Sequence, residues 1–229
     1  MNIVMIHGQS HEGISCHMGR MLVDQLNPDQ LQEFFLPRDM PYFCMGCYCC
    51  MKEDITHCPH WHAMEGILDA IHTADVLIFT TPVYCLRTSG SMKAFLDHCF
   101  IYWMIHRPQC ENFYKRAIIL SSGAGAGMKT AIKDIKTSLT YWGISDIQSY
   151  GVAAKAMSWE MINTAVEKKI KRHIQKIARK KATHRISLKT RCIFLMMRGM
   201  QKVGWGACEK DMIYWKEQGW LGNQRPWDN

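Results

Sequence analysis

Two hydrophobic patterns alternate along the first three quarters of the chain. Short continuous apolar runs predict buried strands, and segments in which apolar residues recur every three to four positions predict amphipathic helices. The predicted strands cover residues 2–8, 31–36, 75–80, 117–120 and 144–154. The predicted helices cover residues 13–26, 64–73, 89–102, 128–142 and 163–181. A cysteine-rich loop over residues 37–62 separates the second strand from the second helix.

This alternation predicts an α/β fold with a doubly wound, five-stranded parallel sheet, because crossover helices cover both faces of such a sheet. The right-handed crossover rule leaves few topologies, of which we expect the flavodoxin-like strand order 2-1-3-4-5. In that order the loops after strands one, three and four lie side by side at the edge where ligands bind. We expect residues 1–183 to form this ligand-binding domain.

The last part of the chain departs from the alternation. Helices are predicted over residues 188–202 and 208–218. Between residues 187 and 229 there are four methionines and the four tryptophans Trp205, Trp215, Trp220 and Trp227. So many large apolar side chains must be buried, either on this chain or on a second subunit. We expect residues 184–229 to form a helical extension that contributes to a subunit contact and reaches the mouth of the ligand site.

The net charge of +8 in this chain of 229 residues has a local origin. Eight lysines and arginines fall within residues 168–181 without an acid, and the rest of the chain is balanced. Such a face could bind nucleic acid. However, Val166, Ile170, Ile174 and Ile177 form an apolar stripe at helical spacing, and no aromatic residue interleaves the charges. These features favour the solvated side of an amphipathic helix, so nucleic acid is not an expected partner.

The location of the protein is inferred from features that are missing from the sequence. No apolar run approaches the roughly 20 residues of a membrane helix, and the amino-terminal residues lack the pattern of a signal peptide. The eleven cysteines are odd in number, and six of them are scattered singly. This usage is typical of a reducing compartment. The sequence therefore predicts a cytoplasmic protein without a membrane partner.

The loop after strand one has the chemistry of a phosphate site. It offers the hydroxyls of Ser10 and Ser15, the His11 ring and a turn at Gly13 immediately before the helix that includes Ile14. Backbone N–H groups and short hydroxyl side chains at a helix N-terminus bind phosphate, helped by the helix dipole. The loop has neither the lysine of a P-loop nor the glycine spacing of a dinucleotide fold. We expect these five residues to contact a cofactor phosphate.

The other two loops suit a planar ring. After strand three, Pro82 restricts the backbone and is followed by Val83, Tyr84 and Cys85. After strand four, the small residues are Ser122, Gly123, Ala124 and Gly125. Residues this small let a flat ligand lie against the backbone. One phosphate cradle and two thin loops are what a flavin mononucleotide requires, so the sequence predicts FMN as the cofactor, bound by these eight residues and the five of the first loop.

Four segments carry a resemblance to a known family. They are Gly8-Gln9-Ser10-His11-Glu12-Gly13, Cys44-Met45-Gly46-Cys47, Thr81-Pro82-Val83-Tyr84 and residues 89–97. Over roughly residues 1–180 the chain resembles flavodoxin-fold, NAD(P)H-dependent FMN reductases that carry a cysteine loop after strand two. The resemblance implies non-covalent FMN and hydride transfer from NAD(P)H to flavin N5. It also implies a small acceptor (a quinone, a flavin, iron or a nitro compound) and a homodimer. The cofactor carries such chemistry, so no catalytic acid or base is expected.

The cysteine loop admits three interpretations. The spacing of Cys44, Cys47, Cys50 and Cys58 suits an iron–sulfur cluster and resembles the iron–sulfur flavoproteins. Zinc could use the same thiolates with a nearby histidine. Alternatively, the thiols are free and only shape the flavin pocket or a subunit contact. An iron–sulfur flavoprotein, or a flavodoxin-like electron carrier without nicotinamide turnover, is therefore the alternative function.

Overall fold

The computed structural model describes residues 1–183, 185–204 and 208–228. Its five strands form one parallel sheet in the order β2-β1-β3-β4-β5, which confirms the predicted topology. The strands are β1 (Asn2–His7), β2 (Gln30–Phe35), β3 (Val76–Pro82), β4 (Arg116–Gly123) and β5 (Asp146–Ala153). Pro82 at the end of β3 lies opposite Ser122 of β4, so the loops after these strands begin at the same level.

Eight α-helices accompany the sheet in the described part of the chain. They are α1 (Ile14–Leu26), α2 (Cys49–Lys52), α3 (Trp61–Thr73), α4 (Gly90–His98), α5 (Met128–Tyr141), α6 (Thr164–Arg179), α7 (Leu188–Lys202) and α8 (Glu209–Glu217). Short 3₁₀ helices occupy Ile55–His57, Cys99–Tyr102 and Cys110–Tyr114.

Two apolar cores lie on opposite faces of the sheet. Along β1, Val4 and Ile6 contribute to the core with α3, α4 and α5, whereas Ile3 and Met5 contribute to the core with α1 and α6. The central strands are apolar at almost every position because both of their faces are covered. This double coverage explains why continuous apolar runs in the sequence predicted strands correctly.

Several predicted boundaries were wrong by three residues or fewer, and one, the end of the helix predicted over 89–102, by four. The helix predicted over 89–102 ends as an α-helix at His98 and continues as a 3₁₀ helix, because the last turn tightens. The helix predicted from residue 64 begins at Trp61, whose N–H donates to the carbonyl of Cys58. The loop predicted over 37–62 also contains α2, which hydrophobic periodicity cannot reveal in four residues.

The basic helix α6 is amphipathic, as predicted. Ile170, Ile174 and Ile177 are buried on the side of the sheet that α1 also covers, whereas the lysines face outward. No helix in the described part of the chain is both long and apolar enough to span a bilayer.

The extension packs on its own chain. Phe194, Trp215 and Trp220 are buried in a third apolar cluster together with Met104 and Phe113, which precede β4. The prediction for Trp205 lies outside the described residues. The self-packing accounts for much of the aromatic content without a second subunit, and the predicted role of the extension in a subunit contact stays a prediction.

Candidate functional site

The first loop ends at the amino terminus of α1, where backbone N–H groups are free to bind an anion. Gly13 precedes the helix in an extended conformation and has no side chain that could cap these groups. The loop is held internally, because Gly13 N–H and Gln9 Nε2 both donate to the carbonyl of His11 at 3.0 Å. A helix start with this geometry is a ready anion site.

Ser15 carries the most informative polar atom of this loop. Its side chain is fully buried, yet its hydroxyl oxygen has no hydrogen-bond partner. A buried hydroxyl without a partner costs roughly 1–3 kcal/mol, so such groups are rare in native proteins. A phosphate at the start of α1 would supply the missing partner, and the residues present therefore fit this part of FMN.

The second loop is a tight turn that projects from the sheet edge. Tyr84 and Arg87 exchange two backbone hydrogen bonds of 3.0 and 3.1 Å. Between them Cys85 and Leu86 both adopt left-handed backbone, with φ of 49° and 61°. The turn is tied to α5 by an ion pair of 3.1 Å between Arg87 and Asp134. Because non-glycine residues rarely adopt this backbone, the turn is a constrained feature rather than a loose loop.

The third loop lies directly against the second. The N–H of Val83 donates to the carbonyl of Ser122 at 2.8 Å, and a Cβ atom on Gly123 would lie 3.0 Å from Cβ of Val83. Gly127 has φ of +92° and is even closer to the turn, because a Cβ atom there would lie 2.6 Å from Cγ1 of Val83. By contrast, a Cβ atom on Gly125 would meet open space. The two loops therefore form one wall with a bare stretch of backbone at Gly125.

The three loops line one open cavity of about 230 Å³, together with residues after β5. Its lining contains nine of the thirteen residues predicted to bind the cofactor: His11, Gly13, Ile14, Pro82, Val83, Tyr84, Ser122, Gly123, Ala124. The other four, Ser10, Ser15, Cys85 and Gly125, are not part of the lining.

Three lining residues were missed by the sequence interpretation. Gln9 belongs to the first loop, and Ala156 and Met157 lie between β5 and α6. The predicted strand order placed β5 beside β4, so the loop after β5 could have been included on topology alone. The described residues of the C-terminal extension do not line the cavity, and the predicted role of the extension at its mouth stays a prediction.

Charged groups beside the first loop are already paired. Arg20 of α1 contacts Glu12 at 2.8 Å and Glu33 of β2 at 3.3 Å. The hydrogen bond from Arg20 lowers the pKa of the Glu12 carboxyl. Since Arg20 is engaged by two acids, the phosphate site would depend on backbone N–H groups and hydroxyls rather than on a free cation.

His7 is the last residue of β1 and lies immediately before the first loop. Its buried ring lies 2.8 Å from the Thr80 hydroxyl and 3.1 Å from a Glu33 carboxylate oxygen. Burial lowers the pKa of His7, and Glu33 opposes this effect. A neutral ring satisfies both contacts, because Nε2–H donates to Glu33 and Nδ1 accepts from Thr80. His7 therefore links β1 to both neighbouring strands immediately before the phosphate loop.

A second, smaller cavity lies in the cysteine loop. It measures about 30 Å³, and its lining includes all four cysteines with cluster-like spacing: Cys44, Cys47, Cys50, Cys58. Cys44 and Cys47 are exposed, Cys58 is half-buried and Cys50 is buried. Burial raises the pKa of the Cys50 thiol to about 11. The fold thus brings together four thiols that are up to fourteen positions apart in sequence.

Two histidines complete the wall of this cavity. His98 Nδ1 donates to the Ala94 carbonyl at 2.8 Å, so its Nε2 accepts from His60 Nδ1 at 2.9 Å. Nitrogen atoms of both rings and Cys58 Sγ lie within 4.8 Å of one another. The sequence predicted that a nearby histidine could join the cysteines but gave no reason to place His98 there. A mixed thiol and imidazole set is compatible with zinc as well as with a cluster.

Comparison with known proteins identifies the family. The model of the NADPH-dependent FMN reductase family matches residues 1–157, about two thirds of the chain. The chain belongs to this family.

Curated relatives of this FMN reductase family member share less than 30% sequence identity with it. An iron–sulfur flavoprotein of Archaeoglobus fulgidus is 28% identical over 102 residues, which cover 44% of each chain. An iron–sulfur flavoprotein of Clostridioides difficile is 25% identical over 162 residues, 69% of this chain and 66% of the relative. The chain therefore matches from 44% to 66% of the length of these two relatives.

Solved structures share the fold. An FMN-dependent NADH-azoreductase from Bacillus anthracis, in complex with FMN, aligns with a TM-score of 0.58 at 11% identity over 78% of this chain and 100% of its own. An NAD(P)H:quinone oxidoreductase from Methanothermobacter marburgensis aligns with a TM-score of 0.55 at 12% identity over 79% of this chain and 98% of its own. These likenesses show the flavodoxin-like architecture.

The family match contains every loop that forms the two cavities. It reaches Met157, the last residue that lines the larger cavity, and includes the four cysteines of the smaller one. Helices α6, α7 and α8 lie beyond it. We therefore expect the features that are specific to this family member to lie in the extension and in the residues that the extension contacts.

Proposed function

We propose that this protein is an FMN-dependent oxidoreductase that takes hydride from NAD(P)H and reduces a small acceptor. The unpartnered Ser15 hydroxyl at the start of α1 is the observation that carries the proposal. It lies beside the one cavity that the loops after β1, β3, β4 and β5 share. Family membership and the position of this cavity at the carboxyl edge of the sheet support the same function.

The residues of the first loop would hold the FMN phosphate. Backbone N–H groups at the start of α1 and the Ser15 hydroxyl would donate to phosphate oxygens, and Ser10 and His11 would contribute at the exposed rim. Charge-assisted hydrogen bonds of this kind are worth roughly 1.5–3 kcal/mol each. The binding energy would thus be spread over backbone and hydroxyl donors.

The second and third loops would hold the ring. Val83 and Gly123 are in contact and line the cavity, and Gly125, just outside the lining, leaves bare backbone against which a planar group can lie. Tyr84 is half exposed beside them, and Cys85 is exposed at the tip of the turn. The constrained turn would fix the ring orientation before the ligand arrives, which reduces the entropy cost of binding.

The acceptor is proposed as a small molecule that enters the same open cavity. When bound, FMN would supply the hydride chemistry, and the protein would supply binding and orientation. Relatives in structure are named for azo compounds and quinones, and this supports a small oxidised acceptor such as a quinone, flavin, iron or nitro compound. No acid or base side chain of this chain is assigned to the reaction.

A second copy of this chain is the proposed protein partner. Phe43, Met45 and Tyr48 in the cysteine loop and Leu86 in the second loop are exposed apolar side chains near the two cavities. Large exposed apolar groups of this kind favour a protein contact. A homodimer in the cytoplasm agrees with these residues and with eleven free thiols.

An iron–sulfur flavoprotein is the second candidate function. It is favoured by the convergence of Cys44, Cys47, Cys50 and Cys58 on one cavity, and by the names of the curated relatives. These four thiolates would hold the cluster, which would supply one-electron transfer when bound. In that case the protein would exchange electrons with a partner whether or not it also oxidises NAD(P)H.

Rapid mixing under anaerobic conditions tests the proposed reaction. FMN-loaded protein is mixed with NADH or with NADPH, and the flavin absorbance is followed. Bleaching that saturates with nicotinamide, and that reverses on addition of a quinone, is expected for the oxidoreductase. FMN-loaded protein that neither nicotinamide reduces would instead be an electron carrier.

A further inference from the structure

Arg107 and Asp211 form a buried ion pair between the flavodoxin-like domain and the C-terminal extension. Nε of Arg107 donates to Oδ1 of Asp211 at 2.9 Å, and His106 Nδ1 lies 2.8 Å from Oδ2 of the same carboxylate. Asp211 is fully buried and Arg107 nearly so. Charges are buried only when they are fully paired, so this carboxylate fixes the position of the guanidinium.

The remaining four N–H groups of Arg107 are directed at helix α2 and at Cys208. Nη1 donates to the carbonyls of Cys50 and Glu53 at 3.1 and 3.2 Å. Nη2 donates to the carbonyl of Met51 and to Cys208 Sγ. A guanidinium has five donors, and here all five have acceptors among the described residues. Arg107 therefore caps the carboxyl end of α2, where backbone carbonyls have no partner within the helix.

Helix α2 carries Cys50, and the extension reaches the same helix directly. The thiol of Cys208 also donates to the Met51 carbonyl at 3.3 Å. Cys50 is one of the four cysteines around the smaller cavity. A helix of only four residues is too short to be stable by itself, so its position depends on such external contacts.

We propose that the C-terminal extension positions the cysteine loop for metal binding, and that Asp211 does so through Arg107. Arg107 and Asp211 are positioning residues, because neither lines the cavity. Asp211 of the extension fixes the Arg107 guanidinium, which in turn binds carbonyl groups at the end of α2. Helix α2 then places Cys50 beside the other three cysteines of the cavity. The metal-binding part of this proposal rests on the proposed metal centre, whereas the positioning of Cys50 does not.

Site-resolved alkylation tests the positioning. Full-length, FMN-loaded, metal-free protein is treated with iodoacetamide, and the rate at each cysteine is read by peptide mass spectrometry. In Asp211→Asn we expect the Cys50 rate to rise roughly tenfold, which corresponds to about 1.4 kcal/mol of easier local opening. The rate at Cys16, a buried residue of α1, is the internal reference and is expected to stay unchanged. Asp97→Asn removes an exposed ion pair with Lys93 and is the matched control.

A milder variant covers the case in which Asp211→Asn disturbs the whole fold. Cys208→Val removes the thiol that contacts Met51 but leaves the ion pair, and a smaller rise at Cys50 alone is expected. Unchanged Cys50 rates in both variants would overturn the proposal, and so would equal rises at Cys50 and Cys16 in both.

Metal retention provides the second readout. After anaerobic reconstitution with iron and sulfide, Asp211→Asn is expected to hold clearly less iron per chain than wild type and Asp97→Asn. Equal iron in all three proteins would overturn the link between the extension and metal binding. A wild type that binds no metal would refute the metal centre itself, and a selective rise at Cys50 would still support the positioning.

Discussion

Val83 lies directly against Gly127, so that a Cβ atom on Gly127 would be only 2.6 Å from Cγ1 of Val83. The same atom would be 2.8 Å from the backbone of Leu86. Because Val83 and Leu86 belong to the turn after β3 and Gly127 follows β4, the two loops depend on each other for their shape. Substitutions at different glycines of the third loop should therefore have different effects.

Substitutions at Gly127 and Gly125 are expected to change different properties, the stability of the fold at Gly127 and the affinity for FMN at Gly125. Gly127→Ala should destabilise the protein by at least about 1–2 kcal/mol, because φ is +92° and the methyl group meets backbone. Gly125→Leu should leave the free energy of unfolding nearly unchanged, because its surroundings are open, yet weaken FMN binding roughly tenfold or more. Urea unfolding and fluorescence titration measure the two effects. Gly66→Leu, at an open position in α3, is the control, and a Gly125→Leu variant with wild-type FMN affinity would remove Gly125 from the ring site.

Ser15→Ala should weaken FMN binding by about one to two decades, because a hydrogen bond to a charged group is worth roughly 1.5–3 kcal/mol. The protein without FMN should not lose stability, since the hydroxyl has no partner in the fold. Ser10→Ala should have a smaller effect, because Ser10 is exposed. Ser121→Ala removes another buried hydroxyl without a partner and should leave FMN binding intact. Unchanged affinity in both Ser15→Ala and Ser10→Ala would place the phosphate elsewhere.

Metal analysis of two variants distinguishes the interpretations of the cysteine loop. If four thiolates hold an iron–sulfur cluster, Cys44→Ser should lose most of its iron and sulfide, whereas His98→Ala should retain them. If zinc is bound with an imidazole ligand instead, the wild type should contain zinc in place of iron, and His98→Ala should lose it. Protein that contains neither metal after anaerobic purification would mean that the thiols are free.

The pH dependence of stability should report on His7. Burial lowers its pKa below the ordinary value of 6.5. As the pH falls below 6.5, the unfolded chain binds this proton before the folded chain does, so the free energy of unfolding decreases until the lowered pKa is passed. His7→Gln keeps one donor and one acceptor without a titrating ring, and its stability should fall less over this range. Replacement of the exposed His62 by Gln is the control, and identical pH profiles for wild type and His7→Gln would contradict this explanation.

The fold could be predicted because its signals are local. Most of β1, β3 and β4 is a continuous apolar run, the long helices between the strands have an apolar stripe, and the crossover rule then fixes most of the topology. The carboxyl edge of the sheet follows from this order, so the loops after β1, β3 and β4 could be assigned to one cavity from sequence. Ala156 and Met157 were missed because no chemical pattern marks the loop after β5.

The contacts of the extension could not be predicted for a different reason. Asp211 pairs with Arg107 across more than a hundred positions, and neither residue belongs to a motif. The same holds for His60 and His98, whose contact depends on how α3 and α4 are packed. Hydrophobic density indicated that the large apolar side chains of the extension must be buried, but not that Trp215 and Trp220 pack on residues 104–113 of their own chain.

Comparison of FMN with riboflavin tests the central claim most directly. Apo-protein is titrated with each compound, and binding is followed by the loss of flavin fluorescence. We expect FMN to bind, and riboflavin, which lacks the phosphate, to bind at least tenfold more weakly, by roughly 1.4 kcal/mol or more. The difference should shrink in Ser15→Ala. Failure to bind FMN, or equal affinities for FMN and riboflavin in the wild type, would contradict the assignment of the first loop as a phosphate site.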